Sequence, residues 1–359
     1  MEPSYKHIHP KFKFNGVHYD VEGLKGLAQG FVKEGEVYEV AVGQFLMDWL
    51  DDTDSLDVHT SGSTGTPKVF ALKKVHMANS ALATGLFFKM GAGTKTLLCL
   101  SAQHIAGKMM LVRAMVLGWE IDVMEPTSNP LKKNTVGYDF GAMVPLQAAE
   151  SISRLNQIKT LIIGGAPISP ELKLELLGVP TKVYETYGMT ETITHIAVKE
   201  VGDNDLHSNS FKVLPDIGLS KDDRNCLVIE APKVSDHIIV TNDLVKLISP
   251  TEFQWLGRYD NVINSGGVKL IPEQIESKLS KIINGRFFVA GITDVNLGQK
   301  LILVVEGDLD TKQLLHDLKA LPALNKYEIP KDIFSLPQFI DTKNGKLNRS
   351  ETMRALKLE

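Results

Sequence analysis

Between residues 70 and 260 the chain alternates short apolar runs with longer stretches of amphipathic character. Thr96–Leu100, Glu120–Met124, Phe140–Val144 and Thr160–Ile163 are short runs and read as strands. His76–Phe88, Ile105–Leu117, Pro145–Arg154 and Pro170–Leu177 read as helices. This alternation predicts an α/β fold around a mostly parallel, doubly wound sheet. Upstream, the spacing of Val42, Phe45, Leu46 and Trp49 predicts a helix over Val40–Leu50, with a strand or two from the rest of residues 1–57. Beyond Gly257 the rhythm changes to a Pro-started helix, Pro272–Ile282, a hairpin-like pair around Phe287–Gly291 and Leu301–Glu306, and a helix over Thr311–Leu321. Two domains are therefore expected, residues 1–257 and a small α+β unit of residues 258–359 tethered at Arg258-Tyr259-Asp260.

Composition narrows the function without naming it. A length of 359 residues allows a well-buried core, and 39 basic against 43 acidic residues give a net charge of −4, which argues against nucleic acid as a main partner. Cys99 and Cys226 stand far apart in apolar or mixed strand contexts, as expected of reduced thiols. Residues 1–19 contain no apolar segment of secretory type, and nowhere do about 18 apolar residues run uninterrupted, so no membrane span and a cytoplasmic location are expected. His7-Ile8-His9 has no Cys or carboxylate at metal spacing and reads as a solvated strand edge.

Candidate chemistry begins at Thr60-Ser61-Gly62-Ser63-Thr64-Gly65-Thr66-Pro67-Lys68, nine residues without a large apolar side chain, directly before the strand-like Val69–Leu72. Small residues let backbone N–H groups and hydroxyls close around a polyphosphate, although turns use the same residues. Lys68 follows Pro67 and precedes Val69, so the G-x-x-x-x-G-K-[ST] spacing of kinases and GTPases is not met. Four further segments stand in order behind it. Tyr184–Thr192 follows a short strand; Thr241-Asn242-Asp243 follows the strand His237–Val240; Gly257–Asp260 leads to Ser265-Gly266-Gly267-Val268-Lys269; and Asn344-Gly345-Lys346-Leu347-Asn348-Arg349 lies near the C-terminus.

In order, spacing and wording these five segments resemble the acyl-adenylate-forming superfamily of acyl-CoA synthetases, adenylation domains and luciferases, from about residue 58 to the end. The resemblance implies that enzyme fold: a large doubly wound N-terminal domain with a small α+β C-terminal lid. One departure is the early position of the phosphate loop, which implies a trimmed first subdomain. Compact bacterial ligases of menaquinone synthesis look shortened in the same way.

The resemblance also implies roles. Ser61, Gly62, Ser63, Thr64, Gly65 and Lys68, entered from Thr60, are expected to cradle the β- and γ-phosphates of ATP. Glu191 is the expected Mg2+ ligand, Thr190 the contact to the α-phosphate, and Tyr187 the adenine platform, with Gly164, Gly165, Ala166 and Gly188 allowing close backbone approach. Asp243 and Arg258 are expected at the ribose. Lys346 is expected between the substrate carboxylate and the α-phosphate during adenylation. For thioester formation the family swings its lid about the position of Asp260, bringing Gly266, Gly267 and Lys269 to the active site with coenzyme A. His104 matches a segment lining the acyl pocket, and Lys108 beside it is the expected partner of a second substrate carboxylate. The expected partners are thus a small-molecule carboxylic acid, ATP and CoA, with a homodimer left open. The first-choice acid is o-succinylbenzoate. Another aryl or short-chain acid, loading of a carrier protein, and a silent AMP-binding protein stay open as alternatives.

Overall fold

The computed structural model describes residues 5–60, 68–202, 209–308, 310–341 and 347–358. Met1–Leu219, Ile229–Ile239 and Leu247–Phe253 form one compact unit, and Ser220–Val228, Val240–Lys246 and Gln254–Glu359 a second.

The first unit opens with the short strands β1 (Lys13–Phe14) and β2 (Val17–His18), then two helices, α1 (Val21–Glu34) and α2 (Val37–Leu50). The pattern at Val42, Phe45, Leu46 and Trp49 anticipates α2, whereas α1 was not expected: only Leu24 and Ala28 of it are buried, too sparse a signal to read. The two helices meet closely at Gly43, where a Cβ would lie 2.6 Å from the carbonyl oxygen of Ala28. The histidines of residues 7–9 lie before β1 and not on a strand. The backbone N–H of His9 reaches Met115 O at 2.9 Å, and its ring covers Gly118, whose absent Cβ would meet Nδ1 at 2.2 Å.

Next come the antiparallel pair β3 (Ser55–Thr60) and β4 (Lys68–Lys73), then α3 (Lys74–Phe88), β5 (Lys95–Leu98), α4 (Ile105–Leu117), β6 (Glu120–Val123), β7 (Tyr138–Met143), α5 (Pro145–Glu150), β8 (Ile158–Ile163), α6 (Pro170–Leu176) and β9 (Lys182–Gly188). Strands β1, β6, β5, β7, β8 and β9 lie side by side and all pair in parallel, as the strand–helix alternation requires. Trp119, Phe140 and Phe88 pack as tilted rings, and Phe88 at the end of α3 meets Tyr184 of β9 edge to face. Past β9 the pairing turns antiparallel, through β10 (His195–Val201) to β11 (Phe211–Val213).

Strands β12 (Gly218–Lys221), β13 (Cys226–Glu230), β14 (Ile239–Ser249) and β15 (Glu252–Arg258) contribute segments to both units. Here the structure corrects the reading of a strand over His237–Val240: β14 starts at Ile239 and runs on through Thr241-Asn242-Asp243.

The second unit continues with β16 (Ile263–Ser265), β17 (Val268–Leu270), α7 (Pro272–Leu279), β18 (Phe287–Asp294), β19 (Gly298–Glu306), α8 (Thr311–Lys319), β20 (Asp332–Leu336) and α9 (Arg349–Ala355). Its sheet runs β17-β16-β19-β18 with β20 parallel to β19, over a core that includes Ile275, Leu279, Leu301, Leu303 and Leu318.

Candidate active site

The carboxyl ends of β8 and β9 are neighbours, with Ile163 opposite Glu185, and this edge of a parallel sheet is where ligands bind in open α/β folds. Gly164 leaves β8 under the side chain of Thr186; a Cβ there would lie 2.3 Å from Thr186 Oγ1. Gly165 has φ of 83°, the left-handed region that only glycine enters at no cost. Gly188 ends β9 pressed against the returning chain, where a Cβ would be 2.2 Å from Thr194 O. Residues Gly164 to Ala166 and Tyr187 to Glu191 are thereby brought together. Tyr184 to Gly188 belong to β9 itself and do not follow it, so the first half of that motif is strand and the second a tight turn.

That turn is rigid. Thr190–Thr192 form one 3-10 turn, and the buried Thr192 hydroxyl receives the Met189 N–H at 3.0 Å and lies 2.7 Å from Thr194 O. Ile193 follows with φ of 66° and ψ of −62°, while Thr194 N–H bonds Thr192 O at 2.7 Å, a γ-turn about a β-branched residue. Such a conformation costs about 1–3 kcal/mol and persists only where surroundings over-determine it. Ile193 is buried at 1% exposure, so its side chain cannot swing out to relieve the turn. Glu191 is exposed upon this support, an oxygen ligand free to meet a hard cation. Tyr187 packs edge-on against Phe253, with ring centroids 5.1 Å apart, and against Phe211 at 5.7 Å.

Glu185, on the same strand, is 7% exposed. Burial opposes its charge, but Lys199 at 2.8 Å and Lys173 at 3.4 Å outweigh burial and hold its carboxyl below the usual carboxylate range. Burial also depresses Lys199, which the Glu185 charge offsets only in part.

At the phosphate segment, Thr60 pairs with Lys68 across the β3–β4 register. Ser61, Gly62, Ser63, Thr64 and Gly65 lie outside the described residues, as does Lys346. The chain just past Lys346 is anchored: Asn348 caps α9 by accepting Glu351 N–H, and Arg349 Nη2 is 2.9 Å from the half-buried Glu276.

His104 precedes α4 with its side chain exposed and makes no cap bond. Gly107 is required in the first turn, since a Cβ would lie 2.3 Å from Ser101 O. Lys108 reaches toward α2, with Nζ 5.1 Å from the centre of the Phe45 ring; burial holds its ammonium below the usual range, partly offset by Asp48. Arg113, five residues on, faces α3 and β10: it is 1% exposed and donates to Thr84 Oγ1 at 3.3 Å and to His195 Nδ1 at 3.4 Å. No carboxylate pairs with it among the described residues. Sequence reading passed over both Arg113 and His195, and no local motif marks either.

In the second unit Asp243 is 5% exposed, accepts Trp255 Nε1 at 3.1 Å and lies 3.6 Å from Arg258 Nη1. Asp260 accepts from Asn242 at 3.1 Å and sits 3.5 Å from Arg258. Arg224, unremarkable in sequence, ties these together: it donates to Asn242 Oδ1 at 2.8 Å and Thr241 O at 3.1 Å, and its guanidinium covers the Tyr259 ring at 5.2 Å. Gly257 cannot carry a side chain, because a Cβ would lie 2.3 Å from Glu273 Oε2. Gly266 and Gly267 both take left-handed conformations, φ 57° and 81°, and present the exposed Lys269 on β17.

A cavity of about 560 Å3 opens within the first unit, between α3, the start of β10 and the loops at 214–217 and 232–234. Its walls are mostly apolar, with His195 at its inner side; His195 lies opposite Gly188 in the β9–β10 pairing.

The family model described as AMP-binding enzyme matches residues 50–230. The chain is 36% identical to an acyl-CoA synthetase (AMP-forming)/AMP-acid ligase II-like protein from Dyadobacter fermentans, covering 92% of this chain and 98% of that one at a TM-score of 0.62. It is 28% identical over 332 residues to a probable 2-succinylbenzoate–CoA ligase of Mycobacterium tuberculosis, covering 85% of each, and 24% identical to 2-succinylbenzoate–CoA ligase of Enterococcus faecalis, covering 82% of this chain and 68% of that one. The o-succinylbenzoate CoA synthetase of Bacillus subtilis, in complex with ATP and magnesium, shares the fold at a TM-score of 0.69 and 22% identity, over 82% of this chain and 69% of that one. With a family model over half its length and a relative 36% identical over 92% of it, the chain belongs to the AMP-binding enzymes and is an AMP-forming acid–CoA ligase.

Proposed function

We propose that the acid activated is o-succinylbenzoate, joined first to AMP and then to coenzyme A. The observation that carries the reading is the mostly apolar cavity of about 560 Å3 lined by His195, the strand partner of Gly188. Relatives named 2-succinylbenzoate–CoA ligase support it. The carboxylate attacks the α-phosphate and pyrophosphate leaves, so two anions that repel each other must be brought together. Residues 60–68 cradle the β- and γ-phosphates, Tyr187 and Gly164 to Ala166 receive adenine, Asp243 and Arg258 receive the ribose, and Thr190 meets the α-phosphate. Glu191 suits Mg2+, which is bound through one or two carboxylates plus phosphate oxygens; the ion when bound neutralises charge on the leaving pyrophosphate. Lys346 serves adenylation, and Gly266, Gly267 and Lys269 serve thioester formation. Residues 258–359 act as the lid in this reading.

Pyrophosphate release from ATP across a panel of carboxylic acids, followed by detection of the CoA thioester, tests the proposal. o-Succinylbenzoate should stand out by its kcat/KM. If another aryl acid is preferred, the substrate is reassigned within the ligase class; an adenylate that forms but never passes to free CoA would point to a carrier protein instead.

A further inference from the structure

Residues Met189 to Thr194 turn the chain from β9 into β10, with Gly188 and His195 paired across the gap. The return is so tight that a Cβ on Gly188 would lie 2.5 Å from His195 Cα. Within this turn the residues sort by depth: Thr192 and Ile193 are buried, Thr190 is half-buried and Glu191 is exposed. The buried pair carries the bonds that shape it. Ile193 N–H closes on Thr190 O at 2.9 Å, Thr194 N–H on Thr192 O at 2.7 Å, and the Thr192 hydroxyl accepts Met189 N–H at 3.0 Å. That hydroxyl has one proton to give, to Met189 O at 2.9 Å or to Thr194 O at 2.7 Å, so its bonds knit the turn to itself.

Ile193 stands out among these residues. At φ of 66° and ψ of −62° a glycine would sit without a steric penalty, whereas a β-branched side chain is poorly suited. Its side chain is 1% exposed, and swinging it out to relax the backbone would return apolar surface to water. Strain held in this way by its surroundings clusters where geometry is fixed in advance for function. Two and three positions back stand Glu191 and Thr190. Mg2+ demands near-octahedral geometry at about 2.0–2.1 Å, so a carboxylate that is to meet it gains from a backbone that cannot drift.

We propose that Ile193 is a positioning residue for the adenylation step: its buried side chain drives the strained turn, and the turn holds Thr190 and Glu191 where Mg2+ and the phosphates are received. A glycine in its place would permit the turn without enforcing it. The inference rests on the roles assigned to Thr190 and Glu191 under the proposed function.

The test measures ATP binding to the full chain by calorimetry, without acid, as Mg2+ is raised. Ile193→Val keeps the branched anchor and should stay near wild type. Ile193→Ala and Ile193→Gly should each need about ten-fold more Mg2+ for half-maximal binding, the scale of losing a residue that orients a metal ligand. Between these two, stability and function should part: Ile193→Gly, free of the strain, should melt above Ile193→Ala and still need at least as much Mg2+. Leu24→Ala, a core change in α1, should lower the melting temperature and leave the Mg2+ dependence alone. The Thr194 amide should exchange with solvent more slowly in wild type and Ile193→Val than in the other two. Wild-type Mg2+ dependence in Ile193→Ala and Ile193→Gly, or equal exchange at Thr194 in all four proteins, overturns the proposal. Glu191→Gln separates it from the reading beneath: an unaltered Mg2+ requirement there, beside raised ones at Ile193, upholds the turn acting through Thr190 and brings down Glu191 as the ligand.

Discussion

Arg258 Nη1 lies 3.6 Å from Asp243 Oδ1, so the two residues that the motifs put at the ribose already meet each other. Asp243 is held in place by Trp255 Nε1 on one oxygen, and Arg258 leans also on Asp260 at 3.5 Å. A carboxylate this constrained is pre-organised to accept two hydroxyls. Asp243→Asn keeps the Trp255 bond but loses the charge, and should raise KM for ATP roughly tenfold, or about 1.4 kcal/mol, with little change in KM for the acid. Steady-state kinetics with each substrate varied in turn checks this; a shift in the acid KM alone would contradict it.

Lys346→Ala should remove pyrophosphate release from acid plus ATP by about 10²–10³, while thioester formation from pre-made acyl-adenylate proceeds. The reason, on the proposed reading, is division of labour: a point charge on a flexible stem suits the step in which two anions are joined, and is not called on in the thiol's attack. Single-turnover assays of each half-reaction decide it, and equal damage to both would sink the assignment.

Glu185 makes stability depend on pH. Its folded pKa lies below that of an unfolded glutamate, so its contribution is fully present above about 4.3 and is lost as pH falls through the lower folded value. Urea titrations should therefore show unfolding free energy declining below about pH 5, and Glu185→Gln should flatten this decline while costing about 3 kcal/mol at neutral pH, since it leaves Lys199 without its counter-charge. An unchanged pH profile in the variant would refute the role.

Lys74 is fully buried, and Asp51 Oδ1 at 2.6 Å is its carboxylate partner, with Asp51 O at 3.3 Å. Asp51→Ala strands a buried ammonium and should cost about 1–3 kcal/mol, moderated because the Asp51 side chain is 46% exposed and water can reach the site. Lys74→Met removes the charge with the partner and should cost less. Thermal melts of the two variants rank them; the opposite order would show that the pair is not what holds this corner.

The sequence by itself determined the elements and the motifs. Helix Ile105–Leu117 and strands near residues 96, 120, 140 and 160 follow from local periodicity, because an apolar side chain's face depends only on its own spacing. Segments such as Gly164 to Ala166 and Tyr187 to Glu191 were legible for the same reason: backbone approach and turn chemistry are carried by contiguous residues. Tertiary structure decided what periodicity leaves open. Lys108 and Arg113 share one helix, and only the tertiary packing puts Lys108 against Phe45 of α2 and Arg113 against Thr84 of α3 and His195 of β10. The sequence placed Thr241 to Asp243 after a strand, yet the ladder of β14 and the buried surroundings of Asp243 carry them through as strand. The Arg113–His195 contact had no local signal at all, since it joins residues on two elements that meet only when α4 and β10 fold around α3.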